Sequence, residues 1–297
     1  MTDTVDDRLV ALLSPYAACA EEDLRLWLIE PGVPSTLAEA MRYCVLSGGK
    51  RLRPALVLMA AQALGADARD ELPRRAAVAI EMVHCYSLVH DDLPAMDDDK
   101  LRRGLPTAHV KFGQAMAILA GDALLTRAFG VLAEADSGPT ALLCGELAGA
   151  AGPSGMIAGQ VADMDLCPLP AGLEGLEYIH LRKTAALIRS AVRMGALAAG
   201  ADAATLSALS NYGRSLGLAF QLIDDLLDVL GESQKMGKAT GKDAQAGKKT
   251  HAAQIGLDGA RQLGERLTSA ARSALEPLGP SLQPLRLLAQ LLAERTH

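Results

Sequence analysis

Apolar positions along this chain recur every three to four residues almost throughout. That period places side chains on one face of an α-helix. Such runs cover residues 37–47, 54–64, 73–93, 115–134, 140–150, 173–199, 203–230, 252–276 and 281–295. Several carry helix punctuation: Ser35-Thr36 before the first, Gly48-Gly49 after it, Pro54 opening the second and Gly65 closing it. No stretch shows the period-two alternation of a half-buried strand. Two stretches break the pattern. Residues 136–172 are rich in Gly, Pro and Ser. They read as a connection within one domain, because the acidic motifs on either side need each other. Residues 231–250 scatter Gly231, Gly237, Gly241 and Gly247 among Lys235, Lys238, Lys242, Lys248 and Lys249. This second stretch reads either as a solvated loop or as a mobile cationic lid over phosphate. The expected architecture is a single all-α domain over residues 1–297.

Composition sharpens that reading. Half the residues are apolar and aromatics are scarce, which favours a packed helical core over disorder or sheet. With 29 basic against 35 acidic groups the net charge is −6, without the basic character of a nucleic-acid binder. The run 115–133 is broken by Asp122 and Arg127 and reads as a core helix, not a membrane span. The opening Met-Thr-Asp-Thr-Val-Asp-Asp lacks a basic start followed by an apolar run. No secretory signal is expected, and a cytoplasmic location is. Cysteines 19, 44, 85, 144 and 167 form no Cys-x-x-Cys pair and read as reduced thiols.

Two aspartate clusters carry the candidate chemistry. The first is His90-Asp91-Asp92-Leu93-Pro94-Ala95-Met96-Asp97-Asp98-Asp99. Pro94 should end the helix there and return Asp97 by a loop. The second, Asp224-Asp225-Leu226-Leu227-Asp228, interrupts an apolar run, and Gln221 shares its helix face. Charges are rarely buried unless they are paired or bind metal. Paired carboxylates suit Mg²⁺, which takes oxygen ligands and substrate phosphate. Cationic motifs accompany them. Ser47-Gly48-Gly49-Lys50-Arg51-Leu52-Arg53-Pro54 sets a glycine turn and three cations before a helix, an arrangement suited to anions. Arg102-Arg103-Gly104 follows the first cluster and reads equally as a salt-bridge pair to its acidic neighbours. A competing reading is a di-iron bundle built on Glu81-x-x-His84 and Glu177-x-x-His180, with Glu39 and Glu146 completing the set. It leaves the paired aspartates unexplained.

As an ordered set, Gly48-Gly49-Lys50-Arg51-Leu52-Arg53-Pro54, Asp91-Asp92-(four)-Asp97, Leu101-Arg102-Arg103-Gly104, Gly159-Gln160-(two)-Asp163, Lys183-Thr184 and Gln221-(two)-Asp224-Asp225-(two)-Asp228 resemble the trans-prenyltransferases. These are the short-chain isoprenyl diphosphate synthases, and the resemblance is closest to the bacterial farnesyl diphosphate synthases. It implies an all-α, isoprenoid-synthase-like bundle around a central cavity and a homodimer. It also implies several Mg²⁺ ions bound with an allylic diphosphate. By position, Asp91, Asp92 and Asp97 match the first metal motif and Asp224, Asp225 and Asp228 the second, Asp224 foremost. Lys50, Arg53, His84 and Arg103 match residues that bind isopentenyl diphosphate. Arg102, Lys183, Lys238 and Lys248 match those that hold the allylic diphosphate, and Thr184 and Gln221 the polar groups beside the reacting carbons. Lys100 departs from the family pattern, standing where many relatives carry an acidic residue. So does the C-terminus, Arg295-Thr296-His297, which is less basic than in some relatives.

The implied reaction is head-to-tail condensation of isopentenyl diphosphate with dimethylallyl or geranyl diphosphate, with diphosphate as leaving group and base. Farnesyl-forming members tend to carry an aromatic residue five positions before the first Asp motif. Here that residue is Tyr86, with the small Ser87 beside it, so Tyr86 is expected to limit product length to fifteen carbons. Geranyl or geranylgeranyl synthesis, a catalytically silent partner subunit and a terpene cyclase are the alternatives on the same fold. The intact acidic and cationic motifs argue against a silent subunit. A cyclase would not need Lys50 and Arg53.

Overall fold

A computed structural model of the chain describes residues 4–136, 138–236 and 250–295, with backbone alone for residues 228–236. The order is α1 (Val5–Trp27), α2 (Ser35–Leu46), α3 (Leu52–Ala63), α4 (Glu71–Asp91), a hairpin of β1 (Leu101–Arg102) and β2 (Leu105–Pro106), then α5 (Ala108–Phe112), α6 (Gln114–Ala133) and α7 (Thr140–Ala151). After these come α8 (Met156–Asp163), α9 (Leu173–Lys183), α10 (Ala185–Ala198), α11 (Ala203–Met236), α12 (His251–Ala274) and α13 (Gln283–Glu294).

Several expectations need correction. Helix α1 went unread, although Leu9, Leu13, Ala20, Leu24 and Leu28 are buried at helical spacing. Within 136–172 the expected run 140–150 is α7, with Leu143, Leu147 and Ala150 as a buried stripe despite the glycines, and the rest is not all connection, because it also contains α8. The single run 173–199 is two helices, broken at Thr184 (φ −112°, ψ −54°). Helix α11 continues to Met236, so Gly231 and its neighbours are helical. The remainder of the proposed lid, 237–249, with Lys238 and Lys248, lies outside the described residues.

Two compact units are present. One comprises residues 10–148 and 191–206; the other comprises 1–9, 149–190 and 207–297. Helix α4 is central to the first and packs on α2, α3 and α6. Ile80, Met82, Leu56, Met59, Leu124 and Leu132 are fully buried there. Each such side chain contributes about 1.5–3 kcal/mol of burial energy. Helix α6 buries Ala117, Ala120, Leu124, Ala128 and Val131 but exposes Ile118 and Leu119. By length and composition alone it could cross a membrane. Its Arg127, however, donates to the Trp27 carbonyl (2.9 Å) and to Glu134 (3.1 Å). In the second unit α8 packs on α9, and α12 on α13. Leu222 and Leu226 of α11 pack with Ala260 of α12, and the buried Tyr212 hydroxyl donates to the Leu285 carbonyl (2.8 Å). All five cysteines are free thiols. Burial pushes the Cys44 thiol up to about 12 and raises Cys85 as well.

Candidate active site

In the first unit, the polar end of α4 is built as Pro94 requires. The helix stops at Asp91, and the backbone then folds back. The Asp97 amide donates to the Asp91 carbonyl (2.8 Å), and the amides of Met96 (2.9 Å) and Asp98 (3.1 Å) donate to that of Leu93. Asp97 is exposed, Asp91 half-buried and Asp92 only 3 % exposed. Burial pushes the Asp92 carboxyl above its ordinary value, while Arg102 pulls it the other way. The Arg102 guanidinium grips one Asp92 oxygen through two nitrogens (2.7 and 2.6 Å) and reaches Asp99 at 3.4 Å. The salt-bridge reading of this arginine is thus the one seen here. Lys100 pairs with exposed Asp98 (2.5 Å).

The β1–β2 hairpin delivers these arginines. Its two central residues, Arg103 (φ 54°) and Gly104 (φ 77°), both take the left-handed conformation that two-residue hairpin turns require. Arg103 thereby donates to the Gly48 carbonyl. Gly49 leaves room for it, since a Cβ there would stand 2.7 Å from the guanidinium carbon. The glycine turn and the Arg-Arg-Gly motif are thus one structure.

One expected anion-facing cation turns inward. Arg51, left-handed at the start of α3 (φ 49°) and 2 % exposed, donates to Glu81 (2.8 Å), the Val45 carbonyl (2.7 Å) and Glu21 (3.3 Å). Losing one partner of such a buried pair costs about 3–5 kcal/mol. Arg51 is therefore a framework residue, while Lys50 is exposed and Arg53 half-buried. The same pair removes Glu81 from the di-iron set. Glu146 is bound to Arg193 (2.9 Å), Glu177 lies 3.6 Å from Arg214, and Glu39 is exposed.

His84 lies among these cations. Withdrawal from water and then Arg53, Arg103, Arg102 and Arg51 hold its imidazole well below the usual value. The unfolded chain takes up this proton near about pH 6.5, whereas the folded chain does not. Stability is therefore full above that pH and falls below it, by up to about 1.4 kcal/mol per unit. The melting temperature should drop between about pH 7.5 and about pH 5.5, and His84→Gln should flatten the drop. An unchanged slope in the folded variant would show that His84 is protonated in the fold.

In the second unit, the break at Thr184 organises the polar groups. Gly159 of α8 lies so close to Lys183 that a Cβ would meet its backbone nitrogen at 2.2 Å. Asp163, one turn on, accepts from the Lys183 ammonium (2.6 Å). The Thr184 hydroxyl donates to Gln221 (2.8 Å), whose amide donates to Asp225 (3.0 Å). His180 Nε2 lies 4.0 Å from the other Asp225 oxygen. Burial, and then the neighbouring His251, hold His180 down to about 4. Arg295 brings a guanidinium to 3.9 Å from Asp224, a contact the sequence did not suggest. The Asp228 side chain is outside the described part.

Tyr86 on α4 is 6 % exposed and sets its ring edge-on to His90 (5.7 Å, 83°). The Ser87 hydroxyl is turned back to the His84 carbonyl (2.8 Å). A cleft on another face of α4 is lined by Cys85, Leu88, Val89 and Asp92, together with Tyr43, Arg102 and Arg103; Tyr86 does not line it.

The chain as a whole has counterparts among known proteins. The model of the polyprenyl synthetase family matches residues 34–275. The chain belongs to this family. It is 49 % identical over 249 residues to the farnesyl diphosphate synthase of Escherichia coli K12, covering 82 % of each chain. It is 44 % identical over 271 residues to geranylgeranyl pyrophosphate synthase 9 of Arabidopsis thaliana, covering 88 % of this chain and 75 % of that one. Among solved structures, a FPP/GFPP synthase from Zymomonas mobilis shares 35 % identity with a TM-score of 0.82, over 96 % of this chain and 99 % of the other. The all-α isoprenyl-synthase fold implied by the sequence motifs is therefore the fold of this chain.

Proposed function

We propose that this polyprenyl synthetase family member is a Mg²⁺-dependent prenyltransferase. It condenses isopentenyl diphosphate with dimethylallyl and geranyl diphosphates to give mainly farnesyl diphosphate. The observation that carries the reading is the α4 end, where Asp91, Asp92 and Asp97 are gathered beside Arg102, Arg103 and His84. An all-oxygen donor set of this kind fits Mg²⁺. Asp91, Asp92 and Asp97 would hold metal, and so would Asp224, Asp225 and Asp228. A metal held there would supply positive charge against that developing on the leaving diphosphate. Arg102 and Lys183 bind that diphosphate and stabilise the same charge with preorganised donors. Lys50, Arg53 and Arg103 bind the second diphosphate, and neutral His84 adds a hydrogen-bonding group without further positive charge. Thr184 and Gln221, fixed by their mutual hydrogen bond, offer dipoles beside the reacting carbons. The departing diphosphate takes the proton. A homodimer would give exposed Ile118, Leu119 and Leu142 an apolar surface to pack against.

The deciding experiment is incubation of the purified protein with Mg²⁺, isopentenyl diphosphate and each allylic primer, followed by product chromatography. Absence of any prenyl product would sink the reading. Arg53 supplies a finer test. Arg53→Ala should raise KM for isopentenyl diphosphate about ten- to a hundredfold, the cost of one charged hydrogen-bonding partner. KM for the allylic substrate should change far less. Equal changes for both would reject the assignment of Arg53 to one site.

A further inference from the structure

His180, Asp225 and His251 come together where α9 ends, α11 passes and α12 begins. One polar atom from each lies within 4.8 Å of the other two. The imidazole centroids are 5.0 Å apart, and both rings are buried, at 7 % and 6 % exposure. Nδ1 of His180 and Nδ1 of His251 are buried without a hydrogen-bond partner in the protein. Two buried imidazoles, each with an unsatisfied nitrogen and a carboxylate oxygen within 4.8 Å of one of its ring nitrogens, are costly to leave unliganded. Among the described residues no other group of three or more His, Cys, Asp or Glu converges so closely.

We propose that these three residues bind a transition-metal cation of the Zn²⁺, Co²⁺ or Ni²⁺ class, with water completing the set. Imidazole nitrogen suits these borderline ions, whereas Mg²⁺ takes oxygen. In a tetrahedral site with bonds of about 2.0–2.1 Å, neighbouring ligand atoms stand about 3.4 Å apart. The observed spread closes to that value by side-chain movements of about 1 Å. Gln221 already orients the carboxylate through its other oxygen (3.0 Å), the outer-shell support a ligating carboxylate requires. The inference stands on the cluster itself. It refines the Mg²⁺ reading at one residue, assigning Asp225 to the imidazoles and leaving Asp224 and Asp228 to the oxygen set. A cation here would pin the first turn of α12 to α9 and α11.

The test is Co²⁺ titration of the full chain in excess Mg²⁺, without any diphosphate. It is followed by visible absorption and by melting temperature. One Mg²⁺-resistant equivalent is expected, with the intense visible band of four-coordinate Co²⁺ and a raised melting temperature. His180→Ala and the volume-conserving His251→Phe should weaken that equivalent by more than about a hundredfold, beyond the loss of an outer-shell partner. A wild-type titration with no Mg²⁺-resistant equivalent overturns the proposal whether or not the variants fold. So does an unchanged equivalent and band in both folded variants. Prenyl transfer is not needed for the readout, so failure here leaves the proposed reaction standing, and the converse holds.

Discussion

Asp91→Ala and Asp224→Ala should each lose about a hundred- to a thousandfold in turnover, the usual cost of one preorganised stabiliser of transition-state charge. Their melting temperatures should barely move. Asp91 is the last residue of α4. There the helix dipole disfavours negative charge by about 0.3–1 kcal/mol, and alanine relieves that penalty. Chelator in excess should abolish activity in the wild type as well. Turnover and thermal melting measured on the same samples decide the matter. Normal turnover of both variants, or full activity in chelator, would defeat the metal assignment.

Tyr86→Ala should shift the main product from fifteen carbons to twenty or longer. Tyr86 precedes Asp91 by five residues on α4, which is about 7.5 Å along the axis. On the proposed reading, the prenyl tail runs from the Asp91 end down along α4 and stops at the Tyr86 ring as a floor. Ser87 offers no second floor, for its hydroxyl is turned back to the backbone. Removing a buried aromatic side chain costs about 3–5 kcal/mol, so melting is checked beside product chromatography. A folded, active variant that still stops at the wild-type length places the floor elsewhere. Relatives that include both farnesyl and geranylgeranyl synthases make this residue the informative one to change.

The helices were legible because their apolar stripes repeat, and the acidic clusters because they interrupt those stripes. The return of Asp97 to Asp91 followed from one proline. What stayed hidden was pairing. Arg51 and Arg53 are the same residue type two positions apart, and only the left-handed backbone at Arg51 sends it into the core against Glu81. The break at Thr184 leaves no proline or glycine at the spot. It depends on Gly159 admitting another helix against Lys183, a contact distant in sequence. Arg295 near Asp224, and His251 beside His180, likewise join segments that no local pattern connects.

Because Arg102 already neutralises Asp92, a divalent cation arriving alone meets a carboxylate that is spoken for. The guanidinium would have to give up its only buried anion and receive nothing in exchange. Diphosphate arriving with the cation changes that balance, since Arg102 then trades one anion for another and Asp92 one cation for another. On the roles proposed for Asp92 and Arg102, the hairpin would work as an interlock, in which neither half of the metal–diphosphate pair seats well without its companion. Such coupling is reciprocal: each partner tightens the other by the same factor.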